Sequence, residues 1–238
     1  MRIDAKELDF RQLGDELRKV SSGEVTIDNC LGQRFIASGM ENLLLTINGV
    51  PGNALGSYLN GTKIFVNGNA QDATGDTMND GEIIIDGSVG DALGYAMRGG
   101  RIFVRGNSGY RTGIHMKQYK EKIPVIVVGG SAGSFLGEYM AGGIIVVLGL
   151  NGGDLVGNYT GTGMHGGKIF LREKNAPQNL PSQVAVTKAD ESDMQEISSI
   201  ISEYAKAFDL NEVEILDSTF WVLRPNTKNP YKRLYTQN

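Results

Sequence analysis

Two glycine-rich strings in this chain match patterns that carry chemistry in other proteins, and its histidines and cysteine are the remaining chemical candidates. Gly129-Gly-Ser131-Ala-Gly133 fits G-x-S-x-G, in which a serine on a strained strand-to-helix turn attacks an acyl group with help from a histidine and an acid. A strand pattern precedes it at Val125 to Val128, but no helical pattern follows. Gly87-Ser88 and Gly106-Asn107-Ser108 place similar small polar residues at the same phase, which makes Ser131 a corner residue and a serine esterase the weakest reading. Gly161-Thr-Gly163-Met-His-Gly166 fits G-x-G-x-x-G. A dinucleotide cradle needs a helix after those glycines, and here a strand pattern follows at residues 168–171. His115, His165 and the lone Cys30 cannot supply a zinc ligand set without carboxylates, and no H-x-x-x-H or C-x-x-C spacing occurs. The sequence therefore assigns no catalytic, cofactor-binding or metal-ligating residue.

What positions these residues is a repeat. Leu45, Ile64, Ile83, Ile102, Val125, Ile145 and Ile169 each begin a short alternating apolar run, at steps of 19, 19, 19, 23, 20 and 24 residues. Two positions later stand Ile47, Val66, Ile85, Val104, Val127, Val147 and Leu171, on the same face of a strand. Five positions before most starters comes Met40, Leu59, Met78, Met97, Met140 or Met164, with Met116 displaced. Stacked core packing explains these methionines better than a soft-metal ladder does. The period is too short for a helix pair. It predicts a mainly β chain: a right-handed parallel β-helix, a single-stranded solenoid of about seven rungs. The right hand follows the general rule for parallel crossovers.

Three segments emerge: an N-terminal helical cap at 1–23, the repeat at 24–172, and a linker, amphipathic helix and tail at 173–238. All glycines but Gly14 and Gly23 lie between Gly32 and Gly167. Asp4 to Glu7 has capping-box spacing, followed by an apolar stripe at Leu8, Leu13, Leu17 and Val20. Near the other end, Ser192 to Gln195 offers a second box ahead of Met194, Ile197, Ile201, Tyr204 and Phe208. The flanks are expected to cover the ends of the stack. One cysteine excludes an internal disulfide, and no secretory or membrane-spanning run is evident, so a cytoplasmic protein is expected, with no membrane partner. A net charge of -4 gives no basic field for nucleic acid.

Gly109-Tyr-Arg-Thr-Gly-Ile-His115-Met-Lys117, Gly137-Glu-Tyr-Met-Ala-Gly-Gly143 and Gly161-Thr-Gly-Met-His-Gly-Gly167, set on this repeat, resemble the glycine-repeat (GXGXG) domain that closes the large subunit of glutamate synthase. The resemblance covers roughly residues 24–172. The flanks, with Arg224-Pro and Pro230-Tyr-Lys-Arg-Leu-Tyr, resemble a stand-alone form, and a related repeat belongs to the C component of formylmethanofuran dehydrogenase. What the resemblance implies is a non-catalytic structural subunit of a glutamate synthase-type complex in glutamate biosynthesis. Its implied partners are a glutamine amidotransferase subunit and an FMN-binding glutamate synthase subunit. FMN and iron–sulfur groups would then sit on the partners and none on this chain. The alternative is a part of formylmethanofuran dehydrogenase that is similar to its C component.

If a partner docks, the residues to examine first are Tyr110, Arg111, His115 and Lys117 in the irregular fifth unit, with Glu138, Tyr139 and His165. The repeat does not demand large polar residues there. A second candidate is the outward column Phe65, Ile84, Phe103, Ile126, Val146 and Phe170, which a flanking helix is expected to cover. A homo-oligomer remains open.

Overall fold

The computed structural model describes residues 1–226 of the chain; the Pro230-Tyr-Lys-Arg-Leu-Tyr string lies outside the described residues. In chain order the elements are β1 (Arg2–Asp4), α1 (Phe10–Arg18), β2 (Gly23–Leu31), β3 (Leu43–Val50), β4 (Asn60–Asn67), β5 (Asp80–Ile85), β6 (Arg101–Val104), β7 (Val125–Val128), β8 (Ala141–Val147) and β9 (Gly166–Arg172). They are followed by β10 (Val184–Lys188), α2 (Glu191–Phe208), α3 (Glu212–Leu216) and β11 (Phe220–Pro225).

The fold is mainly β, but the expected right-handed parallel β-helix of about seven rungs is not what forms. Among the described residues the strands join one open, mixed sheet of 11 strands in the order β1 through β9, then β11, then β10. Strands β1 to β9 are parallel; β11 runs antiparallel to both β9 and β10. The physical reason lies between the strands. Each repeat passes between its strands through a turn in which every second residue has positive φ, as at Arg111, Gly113 and His115, and that alternation is not strand backbone. These segments pair across repeats through turn hydrogen bonds and isolated bridges such as Val89 to Ser108, and they add no further strand to the sheet.

The period sets the register. Leu45, Ile64, Ile83, Ile102, Ile126, Ile145 and Ile169 are successive partners across the parallel ladder. In the fifth unit the inward starter is Ile126, not Val125, and the outward residue is Val127, not Ile126. The longer insertion before β7 hides that one-residue slip, which turns every side chain of a strand over. Inward residues form one core, with Leu45, Ile64, Met78, Met97 and Met140 essentially inaccessible. Outward residues of the later strands form a second core beneath α2: Phe103, Val127, Val146 and Phe170 pack with Ile197, Ile201, Tyr204 and Phe208. Burying each such side chain contributes roughly 1.5–3 kcal/mol. Phe65 remains partly exposed beyond the reach of α2.

Both helices begin at other caps than the spacing predicts. Arg2–Asp4 is drawn into the sheet, with Ile3 beside Ile27 and buried, so α1 starts later. Asp9 caps it, its carboxylate accepting from the Arg11 and Gln12 N–H groups at 2.8 and 2.9 Å. For α2 the cap is Asp190, which accepts from the Asp193 N–H at 2.9 Å, and Ser192 donates its hydroxyl to the same carboxylate. Strands β10 and β11 occupy residues that carry no repeat.

Candidate interaction surface

The turn between strands has its own regular chemistry. In the fifth repeat Arg111, Gly113 and His115 have φ of 61, 69 and 56°; in the sixth, Phe135, Gly137 and Tyr139 have 64, 63 and 54°. The outer members donate their N–H groups forward, Arg111 to the Ser134 carbonyl and His115 to the Glu138 carbonyl, both at 2.9 Å. The middle Gly113 donates backward to the Leu93 carbonyl at 2.7 Å. Each turn is thereby bonded to both neighbours.

The alternation sorts the side chains. A Cβ on the middle residue would enter the isoleucine column, at 2.7 Å from Ile83 Cδ1 for Gly56 and 2.6 Å from Ile169 Cδ1 for Gly137, which is why glycine stands there. The flanking positions carry side chains from a methyl group at Ala54, Ala73 and Ala92 to the large residues Tyr58, Arg111 and Phe135. Large residues gather at those positions in the later repeats. The His115 and Tyr139 rings stack with centroids 5.2 Å apart, and Tyr95 meets His115 edge-on at 5.8 Å. Arg111 lies over the Phe135 ring at 5.1 Å and bonds Glu138 through Nε at 3.2 Å; Phe135 in turn stacks on Tyr159 at 5.0 Å.

Of the residues proposed from sequence, Arg111, His115, Glu138 and Tyr139 thus meet in one cluster. Tyr110 stands at its edge, more than half exposed, with its N–H on Asp91. Lys117 and His165 occupy another column, where the turn hands the chain to the strand: their N–H groups donate to Met97 and Met140 carbonyls, and His165 Nδ1 lies 3.0 Å from the Gly163 carbonyl. Phe135, Tyr159 and Tyr95 complete the surface and were missed. The signal was present, since the 24-residue steps from Arg111 lead to Phe135 and Tyr159.

The other chemical candidates are structural. Ser131 donates its backbone N–H to Asn107 Oδ1 at 2.9 Å, as Asn107 does to Ser88 Oγ and Ser88 to Asn69 Oδ1, so it occupies the same corner as the small polar residues of the preceding repeats. Burial pushes the Cys30 thiol up to about 11, while its contact with Gln33 works weakly in the opposite direction. Such a thiol is no nucleophile at neutral pH. Iodoacetamide at pH 8 should label native Cys30 far more slowly than the urea-unfolded chain, and equal rates would contradict the burial. Among the described residues no group of three His, Cys, Asp or Glu could hold a metal ion, and no helix is long and apolar enough to cross a membrane.

The family model described as the GXGXG motif matches residues 18–226. This chain belongs to the GXGXG family. The GXGXG chain is 44% identical over 249 residues to the uncharacterized protein MJ1350 of Methanocaldococcus jannaschii, covering 98% of this chain and 95% of that protein. Among solved structures it is similar to a chain in the formyltransferase/hydrolase complex (FhcABCD) of Methylorubrum extorquens in complex with methylofuran. The TM-score is 0.62 at 17% identity, over 92% of this chain and 88% of that one. At that identity the likeness shows a shared fold. For the GXGXG chain, a glycine stands at the centre of the turns from Gly56 onward, with Ala37 in that place in the first turn, and lets the turns bond to one another.

Proposed function

We propose that the chain is a non-catalytic structural subunit of a multi-subunit enzyme, and that the enzyme is of the formylmethanofuran type, handling a one-carbon formyl group. The observation that carries this reading is the near-full-length fold match to a chain of a formyl-transferring complex. The physical character of the chain supports it: rigid inter-repeat bonding, a face carrying Tyr and Arg, residues enriched at interface hot spots, a serine whose backbone is bonded into a repeat corner, and a buried cysteine. A second reading keeps some support. The glycine-repeat strings around His115, Glu138 and His165 favour a glutamate synthase-type complex, with a glutamine amidotransferase partner and FMN and iron–sulfur groups on the partner subunits.

Affinity capture of the tagged chain from its native cell tests both. Recovery of a formyl-transferring or molybdenum or tungsten pterin protein supports the first reading. A glutaminase or FMN protein replaces it with the second, and recovery of no enzyme subunit overturns both. In the same experiment, Tyr110→Ala combined with Lys117→Glu should reduce capture by about tenfold, a loss of ~1.4 kcal/mol, without changing the melting temperature. Undiminished capture would move the docking face elsewhere. Arg111 is spared in that variant because a reversed charge there would face Glu138, whose side chain is 12% exposed.

A further inference from the structure

The outward turn column that holds Phe35, Arg111, Phe135 and Tyr159 holds Ala54, Ala73 and Ala92 in the repeats between Phe35 and Arg111. Side chains shrink to a methyl over those three repeats, so the face drops into a trough about 19 Å long, four inter-strand steps of ~4.8 Å. Carboxylates and phenols rim it. Asp72, Asp91 and Tyr110 follow one another in a column: Asp72 Oδ1 accepts the Asp91 N–H at 2.9 Å, and Asp91 Oδ1 accepts the Tyr110 N–H at 2.8 Å. On the other side the backbone bonds of Tyr58 to Asp76 and of Thr77 to Tyr95 bring those residues alongside. Tyr58, Tyr95 and Tyr110 are 56, 39 and 55% exposed, large areas for aromatic side chains on a soluble face.

Three carboxylates without an ion pair lie together along this trough. Elsewhere several acids are matched: Asp28 by Arg2, Glu82 by Lys63, Asp80 by Lys122 and Asp86 by Arg105 on the sheet, and Glu203 of α2 by Arg101. Among the described residues Asp72, Asp76 and Asp91 form no ion pair. Their backbone and hydroxyl bonds leave a carboxylate oxygen of Asp72 and of Asp91 without a partner among those residues. Phenol rings beside unpaired carboxylates attract guanidinium and ammonium groups through ring faces and charge together.

We propose that this trough is the docking site for a cationic segment, rich in arginine or lysine, of a partner subunit. It rests on the reading of the chain as a docking subunit and supplies the chemistry of what docks. The carboxylates steer and orient the segment, the tyrosines cover its side-chain stems, and the alanine floor admits its backbone. Arg111, held by Glu138 and Phe135, closes one end against a segment of like charge.

Fluorescence anisotropy of a labelled arginine–glycine peptide with the isolated chain tests the site, with a glutamate–glycine peptide as control. The arginine peptide should bind and the glutamate peptide should not. Two paired variants, Asp72→Asn with Asp91→Asn and Tyr58→Ala with Tyr95→Ala, should each weaken binding by about tenfold, while Glu121→Gln with Glu212→Gln leaves it unchanged; all are first shown to melt like the parent. The same loss in the Glu121 and Glu212 pair, or no loss in the trough pairs, overturns the proposal. Self-association of the chain that the Asp72 and Asp91 pair abolishes would also overturn it, by making the occupant a second copy. Capture from the cell reports which enzyme the chain joins and the peptide reports this surface, so either can fail alone.

Discussion

Gly68→Ala should lower unfolding stability by about 3 kcal/mol or more, while Gly61→Ala should lose only about 1–2 kcal/mol. Both glycines have positive φ, +149° and +110°, where an L side chain is strained. They differ in what a methyl group would meet. At Gly61 there is nothing within 4 Å, so strain acts alone; at Gly68 the new carbon would lie 2.5 Å from the Gly49 carbonyl oxygen of the preceding repeat. That oxygen belongs to backbone, which can yield only by parting two repeats. Urea denaturation of the two variants separates the terms. Equal losses would show that the close approach of successive repeats is not what Gly68 provides.

Asp193→Ala should destabilise the chain by about 2–3 kcal/mol, and the loss should be felt chiefly by α2. The Asp193 side chain is 2% exposed; it accepts a bond from Lys168 Nζ at 3.1 Å and pairs with Arg224. Removing one member of a buried pair typically loses 3–5 kcal/mol because the other charge is left without its partner. Here Lys168 and Arg224 are 30 and 31% exposed and Lys168 keeps Glu196 at 2.6 Å, which sets the expectation below that range. Denaturation followed by dye binding to the bared Phe103 and Phe170 surface would register it.

The same site fixes a pH dependence. Burial by itself raises the Asp193 pKa, but bonds from Arg224 and Lys168 outweigh it and hold the pKa below the usual 3.8. A depressed carboxylate pKa adds stability that is fully present above the unfolded value and is lost as pH falls through the native one. The gap between parent and Asp193→Ala should therefore be constant from neutral pH down to about 5 and narrow only below the ordinary aspartate range. A gap that widened in acid would contradict this.

How much of this was legible depended on whether a residue obeys the period. The inward isoleucines were readable because burial on one face forces alternation. Ile126 was misplaced because an insertion breaks the count, and only hydrogen-bond register can restore it. The open sheet was not readable. Tyr58, Thr77, Arg111, His115 and Phe135 sit at positive φ, and nothing in these residue types announces a left-handed backbone; bonds to the neighbouring repeats hold it. Of the candidate surface, Arg111 and Glu138 are 27 residues apart, and their meeting follows only from the height of one repeat. The helix that covers Phe103 and Phe170 was visible in its apolar spacing, whereas β10 and β11 carry no repeat to mark them.

The reversed direction of β11 has a consequence for length. A parallel array offers its last strand as a template for one more strand of equal polarity, and identical molecules could join end to end without limit. Here β11 is laid antiparallel on β9 and β10 antiparallel on β11, so the array ends in two antiparallel ladders whose donors and acceptors are spaced differently from those of the parallel repeats. Lengthening must therefore occur by inserting whole units inside the array, each adding one step of about 4.8 Å and leaving both ends untouched. The chain is a measure of fixed span, closed at one end by the antiparallel pair β11 and β10.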